Sequence, residues 1–164
     1  LLPPELTDLA KRVVEENIAL GRVVALAESC TGGLCSAALT EIAGSSAMFD
    51  RGFVTYSNGA KLESLGVSEE LVDTFGAVSA AVAWGMARGA IDHSDADIAV
   101  AITGVAGPGG GSDNKPVGTV VFACARRGDD EEDIVAEQRE FGAEKSRAEI
   151  RLLAAQTALE LLLP

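Results

Sequence analysis

The sequence is short of the residue types that most metal sites require. It holds a single histidine, His93, and three cysteines, Cys30, Cys35 and Cys124, at spacings that match neither a zinc framework nor a disulfide scaffold. No metal site is expected, and no cofactor. No uncharged run approaches the roughly 20 apolar residues of a bilayer span. The opening Leu1-Leu2-Pro3-Pro4-Glu5 has neither the basic nor the apolar region of a secretory signal. The expectations are therefore no membrane partner and a cytoplasmic location. Lysine is also scarce: Lys11, Lys61, Lys115 and Lys145 stand against 25 Asp plus Glu, and the net charge is −12. An acidic surface repels a polyanion before specific contacts form, which argues against nucleic acid as a partner. A small anion can still bind where local dipoles and one or two cations outweigh the average field. Such a lysine-poor surface suits a high-salt cytoplasm, where repulsion is screened, and an ordinary acidic protein nearly as well.

What the chain does contain is apolar residues in the amount and pattern of one core. With 164 residues, 48% of them hydrophobic, and no internal repeat, a single domain over residues 1–164 is expected. Leu6, Leu9, Ala10, Val13, Val14 and Ile18 recur at three- and four-residue spacings and predict a helix over 6–20, closed by Gly21. Val23 to Ala27 reads as a strand buried on both faces, followed by a tight turn and a helix over 34–42. Gly52 to Ser57 is a second strand, and Ser68 and Ser79 each open a helix as N-caps. Ile98–Ile102 and Gly118–Ala125 are further strands. Ile134–Phe141 is a fifth, joined to the fourth through the polar turn Arg127-Gly128-Asp129-Asp130 as a hairpin. A closing helix starts at Glu144. This order predicts a three-layer α/β/α sandwich on a mixed, mostly parallel sheet of about five strands.

In open α/β sheets ligands collect beyond the carboxyl ends of the strands, and three polar clusters fall there: Glu28 to Gly33, Tyr56 to Lys61 and Thr103 to Gly111. In the first, Gly32-Gly33 lets a backbone approach a ligand closely, and the following helix offers free N–H groups to a phosphate or oxyanion. A tight turn with no ligand explains it equally well. No Walker loop or dinucleotide fingerprint is present. Lys61 follows a buried strand, and burial near hydroxyls lowers an ammonium pKa, as in Ser-Lys hydrolases. On spacing alone, a surface lysine at the start of a helix is the simpler reading. The third cluster holds five glycines in nine residues, with Lys115 nearby, more than a connector needs. Cys30 is read as packing rather than as a nucleophile, and His93 as solvent-facing.

Three motifs occur in order: Ala27-Glu28-Ser29-Cys30-Thr31-Gly32-Gly33, then Ile42-Ala43-Gly44-Ser45-Ser46 leading to Gly52-Phe53-Val54-Thr55-Tyr56-Ser57-Asn58, then Thr103-Gly104-Val105-Ala106-Gly107-Pro108 with Lys115-Pro116-Val117-Gly118. With these motifs the chain resembles the CinA C-terminal domain family of bacterial nicotinamide mononucleotide amidases, over nearly its whole length and in the stand-alone form. The resemblance implies metal-free hydrolysis of a small-molecule nucleotide's carboxamide. In that reading Lys61 is similar to the family's basic lysine and Ser46 is the hydroxyl paired with it. Ser29 and Tyr56 match other polar residues of the active site. Thr31, Gly32 and Gly33, together with Thr103, Gly104, Ala106 and Gly107, are the expected substrate-binding residues. Arg147 is matched to an arginine contacting the substrate phosphate, although Gly142-Ala143-Glu144-Lys145-Ser146-Arg147 departs from the family's usual Gly-Asp-Arg. Ser29 and Cys30 are the competing nucleophiles. The alternative function is a non-catalytic module binding a nucleotide or a protein partner, linked to competence or DNA damage. A homo-oligomer is compatible with either.

Overall fold

The strands sort their side chains by size. A computed structural model describes all 164 residues. In β1 (Val24–Glu28), β3 (Ile98–Gly104) and β4 (Thr119–Arg126), the residues Val24, Leu26, Ile98, Val100, Ile102, Val120 and Phe122 enter one core. Their alternate neighbours Ala25, Ala27, Ala99, Ala101, Ala123 and Ala125 enter another. Successive Cβ atoms of a strand point to opposite faces, so this two-residue period in size makes a large-residue face and an alanine face of one sheet. Against the large-residue face pack α1 (Pro4–Leu20), α2 (Leu34–Thr40) and α6 (Arg147–Glu160), through Leu6, Val13, Leu39, Ile150 and Leu159. On the alanine face lies α5 (Ala80–Asp92), itself rich in Ala and Gly. Against α5 pack α3 (Asn58–Leu65) and α4 (Glu69–Phe75).

The sheet order is β2-β1-β3-β4-β5, with β2 at Phe49–Val54 and β5 at Val135–Glu140. The first three strands in chain order run parallel, and β4 and β5 form the expected antiparallel hairpin. The result is the three-layer α/β/α sandwich on a mixed sheet that the sequence implies. No helix is long and apolar enough to cross a membrane.

The largest boundary shifts from the sequence reading, at β2 and α6, each have a local reason. β2 starts at Phe49 and stops at Val54, because it is an edge strand whose Asp50, Arg51 and Gly52 lie in solvent and give no apolar signal. Its last residue pairs with Glu28, after which Thr55 to Ser57 leave the sheet and Ser57 caps α3 by accepting from Ala60 N–H at 3.0 Å. The closing helix begins at Arg147 rather than Glu144, since Ser146 and Glu149 form a reciprocal capping box that fixes its start. The parallel β1, β2 and β3 thus bring Ser29, Thr55 and Thr103 to one edge of the sheet. Ser46 lies in a single 3-10 turn (Ser45–Ala47) ahead of the opposite, amino end of β2.

The close approach of α5 to α3 depends on Gly89, where an added Cβ would collide with the Leu65 carbonyl, whereas at Gly85 it would only touch Val67 at 3.6 Å. Gly89→Ala is therefore expected to destabilise by about 1–3 kcal/mol, the usual range for overpacking. Gly85→Ala should be neutral or stabilising, since alanine is the better helix former by about 1 kcal/mol. Urea unfolding of both variants checks the contrast.

Candidate active site

The turn after β1 is built from inside. Ser29 N–H donates to the Ile102 carbonyl at 2.9 Å, and the Ser29 carbonyl accepts from Gly32 N–H at 3.0 Å. Gly32 and Gly33 take φ +57° and +99°, left-handed conformations that side-chain-bearing residues avoid. The Glu28 side chain, fully buried, reaches past the turn and accepts from Cys35 N–H at 2.9 Å, Ser36 N–H at 3.0 Å and Ser36 Oγ at 2.7 Å. These are the first free donors of α2, so the carboxylate neutralises the positive end of that helix. This corrects the expectation of an open anion site there, because the site is already filled by the protein's own carboxylate. Thr31, Gly32 and Gly33 accordingly shape the turn and do not line the cleft described next.

Lys61 sits on the inner side of α3 and is 1% exposed. Its Nζ lies 3.0 Å from Ser29 Oγ, 2.9 Å from the Thr55 carbonyl and 3.3 Å from the Tyr56 carbonyl. It belongs to no ion pair with a carboxylate. Burial without a counter-charge pushes its pKa below the ordinary lysine value. The three partners have distinct capacities, because carbonyls only accept whereas the serine hydroxyl can also donate. A neutral amine here gives its two N–H groups to the carbonyls and turns its lone pair to the Ser29 O–H. The pair meets the geometry asked of a base and its nucleophile.

Ser46 does not join this cluster. It is exposed and precedes the amino end of β2, whereas Thr55 and Tyr56, which hold Lys61, follow the carboxyl end. Six residues of strand separate the two ends, about 20 Å at 3.3 Å per residue. The expected Ser46–Lys61 pairing is not formed, since the chain between them runs straight along the sheet edge and does not reverse.

Ser29 and Lys61 open into a cleft of about 280 Å³ whose walls include Tyr56, Thr103, Gly104 to Gly107 and Arg147. Arg147, the first residue of α6, donates from Nη1 to the Gly107 carbonyl at 2.7 Å and from Nη2 to Tyr56 Oη at 2.8 Å. It thereby ties the glycine loop to the strand-end tyrosine across the mouth. Thr103 Oγ1 donates to the Ala77 carbonyl at 2.9 Å and so fixes the α4–α5 connection as a third wall. Lys115 lies outside, donating to the Phe75 carbonyl at the end of α4. Burial raises the Cys30 thiol to about 11, which keeps it neutral beside Ser29 and makes it a poor rival nucleophile. Asn58, Ala77 and Val78 also line the cleft, and Ala77 and Val78 carry no sequence signal that marks them. In a chain with 25 acidic residues, not one Asp or Glu faces this cleft, whereas the Arg147 guanidinium and the Lys61 amine do.

These features define an α/β/α protein with a buried amine-hydroxyl pair and a small carboxylate-free cleft at the carboxyl edge of its parallel strands. The chain belongs to the CinA C-terminal domain family, which it matches over residues 6–164. It is 49% identical over 157 residues to "Nicotinamide-nucleotide amidohydrolase PncC" of Enterobacter agglomerans, covering 91% of this chain and 94% of that one. The protein of that name in Escherichia coli K12 is 54% identical over 121 residues, 74% of this chain and 73% of the relative. The crystal structure of competence/damage inducible protein CihA from Agrobacterium tumefaciens superposes with a TM-score of 0.93 at 51% identity, over 99% of this chain and 96% of that chain.

A lysine pKa below its ordinary 10.5 means that between the two values the unfolded chain holds a proton that the folded one lacks, so this group's contribution to stability improves as pH rises. Lys61→Met, which abolishes the charge, should unfold at higher denaturant concentration than wild type at neutral pH. The margin should shrink as pH climbs towards 10.5. Chemical denaturation of both proteins across that range measures it, and a margin independent of pH would contradict a desolvated Lys61.

Proposed function

We propose that this chain is a cytoplasmic amidase that hydrolyses the carboxamide of nicotinamide mononucleotide to nicotinic acid mononucleotide and ammonia, with Ser29 as nucleophile and Lys61 as base. The observation that carries the reading is the 3.0 Å contact between a buried, uncompensated lysine amine and a serine hydroxyl at the cleft floor. The substrate class is supported by relatives named nicotinamide-nucleotide amidohydrolases at 49% and 54% identity. It is supported again by a cleft that excludes carboxylates and presents Arg147, which suits a substrate carrying a phosphate. No nucleic-acid partner is proposed for a chain of net charge −12.

The chemistry runs in two halves. Lys61 takes the Ser29 proton as Oγ attacks the carboxamide carbon, and the carbonyl electron pair moves onto oxygen. The protonated lysine then gives its proton to the departing nitrogen, the C–N bond breaks, ammonia leaves and an ester to Ser29 remains. Water attacks that ester, its proton passes through Lys61 to Ser29 Oγ, and the acid is released. Backbone N–H groups beside Ser29 serve the oxyanion, each worth about 3–4 kcal/mol of barrier. Tyr56 and Arg147 hold each other at the mouth, where binding of the remote phosphate can orient the amide. A binding module alone would gain nothing from keeping a lysine desolvated at a cost to stability, which favours the enzyme over the non-catalytic reading.

Ser29→Ala should lower ammonia release from nicotinamide mononucleotide by roughly 10³-fold or more, the scale seen when a serine nucleophile is removed. Ser46→Ala should stay within about twofold of wild type. Lys61→Arg should be inactive though folded, because a guanidinium does not give up its proton. A Ser29→Ala protein within about tenfold of wild type, near 1.4 kcal/mol of barrier, would remove Ser29 from the role.

A further inference from the structure

The turn carrying Ser29 is gripped from α6 by a residue that does not line the cleft. Arg151 Nε donates to the Cys30 carbonyl at 3.1 Å and Nη2 to the Thr31 carbonyl at 2.9 Å. One planar guanidinium thus fixes two consecutive carbonyls with donors of set relative direction. Arg151 belongs to no ion pair, so no carboxylate competes with this backbone for its donors.

A trans peptide is planar, so the direction of each carbonyl sets the next N–H the opposite way. The Ser29 carbonyl is held by Gly32 N–H, which sets the Cys30 N–H. The Cys30 carbonyl is held by Arg151, which sets the Thr31 N–H. Neither of these two N–H groups has a backbone acceptor, although Cys30 is 5% exposed and Thr31 fully buried. Buried backbone donors are nearly always paired, and of these two residues only Cys30 borders the cleft, so its N–H, directly after the serine, marks a place for an acceptor that the protein does not itself supply. The charge of Arg151 also reaches this wall of the cleft, since it lowers the Cys30 thiol pKa in opposition to the larger effect of burial.

We propose that Arg151 is a positioning residue for amide hydrolysis: by holding the Thr31 carbonyl it sets the Gly32 N–H that grips the Ser29 carbonyl, and so aims the Cys30 N–H on the cleft wall at the oxygen that becomes negative when Ser29 attacks. The inference rests on the amidase reading above. Arg151 touches no reacting atom. As the Ser29 Oγ–carbon bond forms and the carbonyl pair moves to oxygen, the Cys30 N–H donates to that oxygen and releases it when the C–N bond breaks.

The experiment compares Arg151→Met and Arg151→Lys with wild type, with melting temperatures recorded alongside. In Arg151→Met, kcat for ammonia release from nicotinamide mononucleotide is expected to fall about 10²-fold, the scale of a misplaced oxyanion donor. KM should stay within about threefold and the pH profile of kcat should keep its position. Arg151→Lys, retaining one donor, should lie between. An added alkylguanidinium ion should restore part of kcat to Arg151→Met and none to Ser29→Ala. A loss confined to KM, or one that alkylguanidinium leaves unchanged, overturns the positioning role. Labelling of Ser29 by a fluorophosphonate, whose phosphoryl oxygen needs the same donor, gives a readout independent of the substrate, and Arg151→Met should be labelled about 10²-fold more slowly. If wild type is labelled but releases no ammonia, the amidase reading fails while slow labelling of Arg151→Met still upholds the positioning role. Labelling of Arg151→Met at the wild-type rate overturns that role alone, and a wild type neither active nor labelled overturns both.

Discussion

A lysine amine kept from water, with a serine hydroxyl and two backbone carbonyls as its only partners, is the constraint around which the site is arranged. Charge in such a place is costly, and the molecule does not offset it with a carboxylate. The nearest acid in the motif, Glu28, is turned away and bound to the amides of α2. Had Glu28 faced Lys61 instead, an ion pair would have raised the amine's pKa and locked its proton on. The helix therefore does for Glu28 what Glu28 would otherwise have done for Lys61.

The same economy shapes the sheet. Thr55 N–H donates to the Glu28 carbonyl at 2.9 Å, so the residue whose carbonyl holds Lys61 is itself held by the residue before Ser29. Base and nucleophile are thus set relative to one another by a parallel strand pairing rather than by a loop. The alanine face allows α5 to lie close against the strands, and α3 packs on α5 through Leu65. Lys61 is one turn earlier in α3 than Leu65, so the packing that buries the leucine also delivers the amine.

Most of the architecture was legible because the central strands are continuous apolar runs and the hairpin carries a polar turn. The polar clusters at the strand ends were legible too. Which serine meets Lys61 was not: Ser46 is nearer in the chain, but only the parallel register of β1 and β2 shows that it stands at the wrong end of the sheet. Edge exposure hid the start of β2, and with it the length of chain that separates Ser46 from the site. The cap that Glu28 supplies was unreadable because it comes from seven residues before the amide it binds. Arg151 is separated by 121 residues from the carbonyl it grips and looks in sequence like any polar residue of an amphipathic helix.

The acid-free cleft sets which anions can enter a molecule of net charge −12. Beyond roughly 8–10 Å, the screening length near physiological salt, an approaching anion meets the net field of an acidic body. Inside the cleft it meets the Arg147 guanidinium with no carboxylate opposing it. A compact anion crosses the repulsive zone once and then lies wholly within the attractive one. A longer polyanion leaves most of its charges outside, where each is repelled. The distribution of charge thus works as a size filter, sorting visitors by how much of their negative charge fits inside the walls.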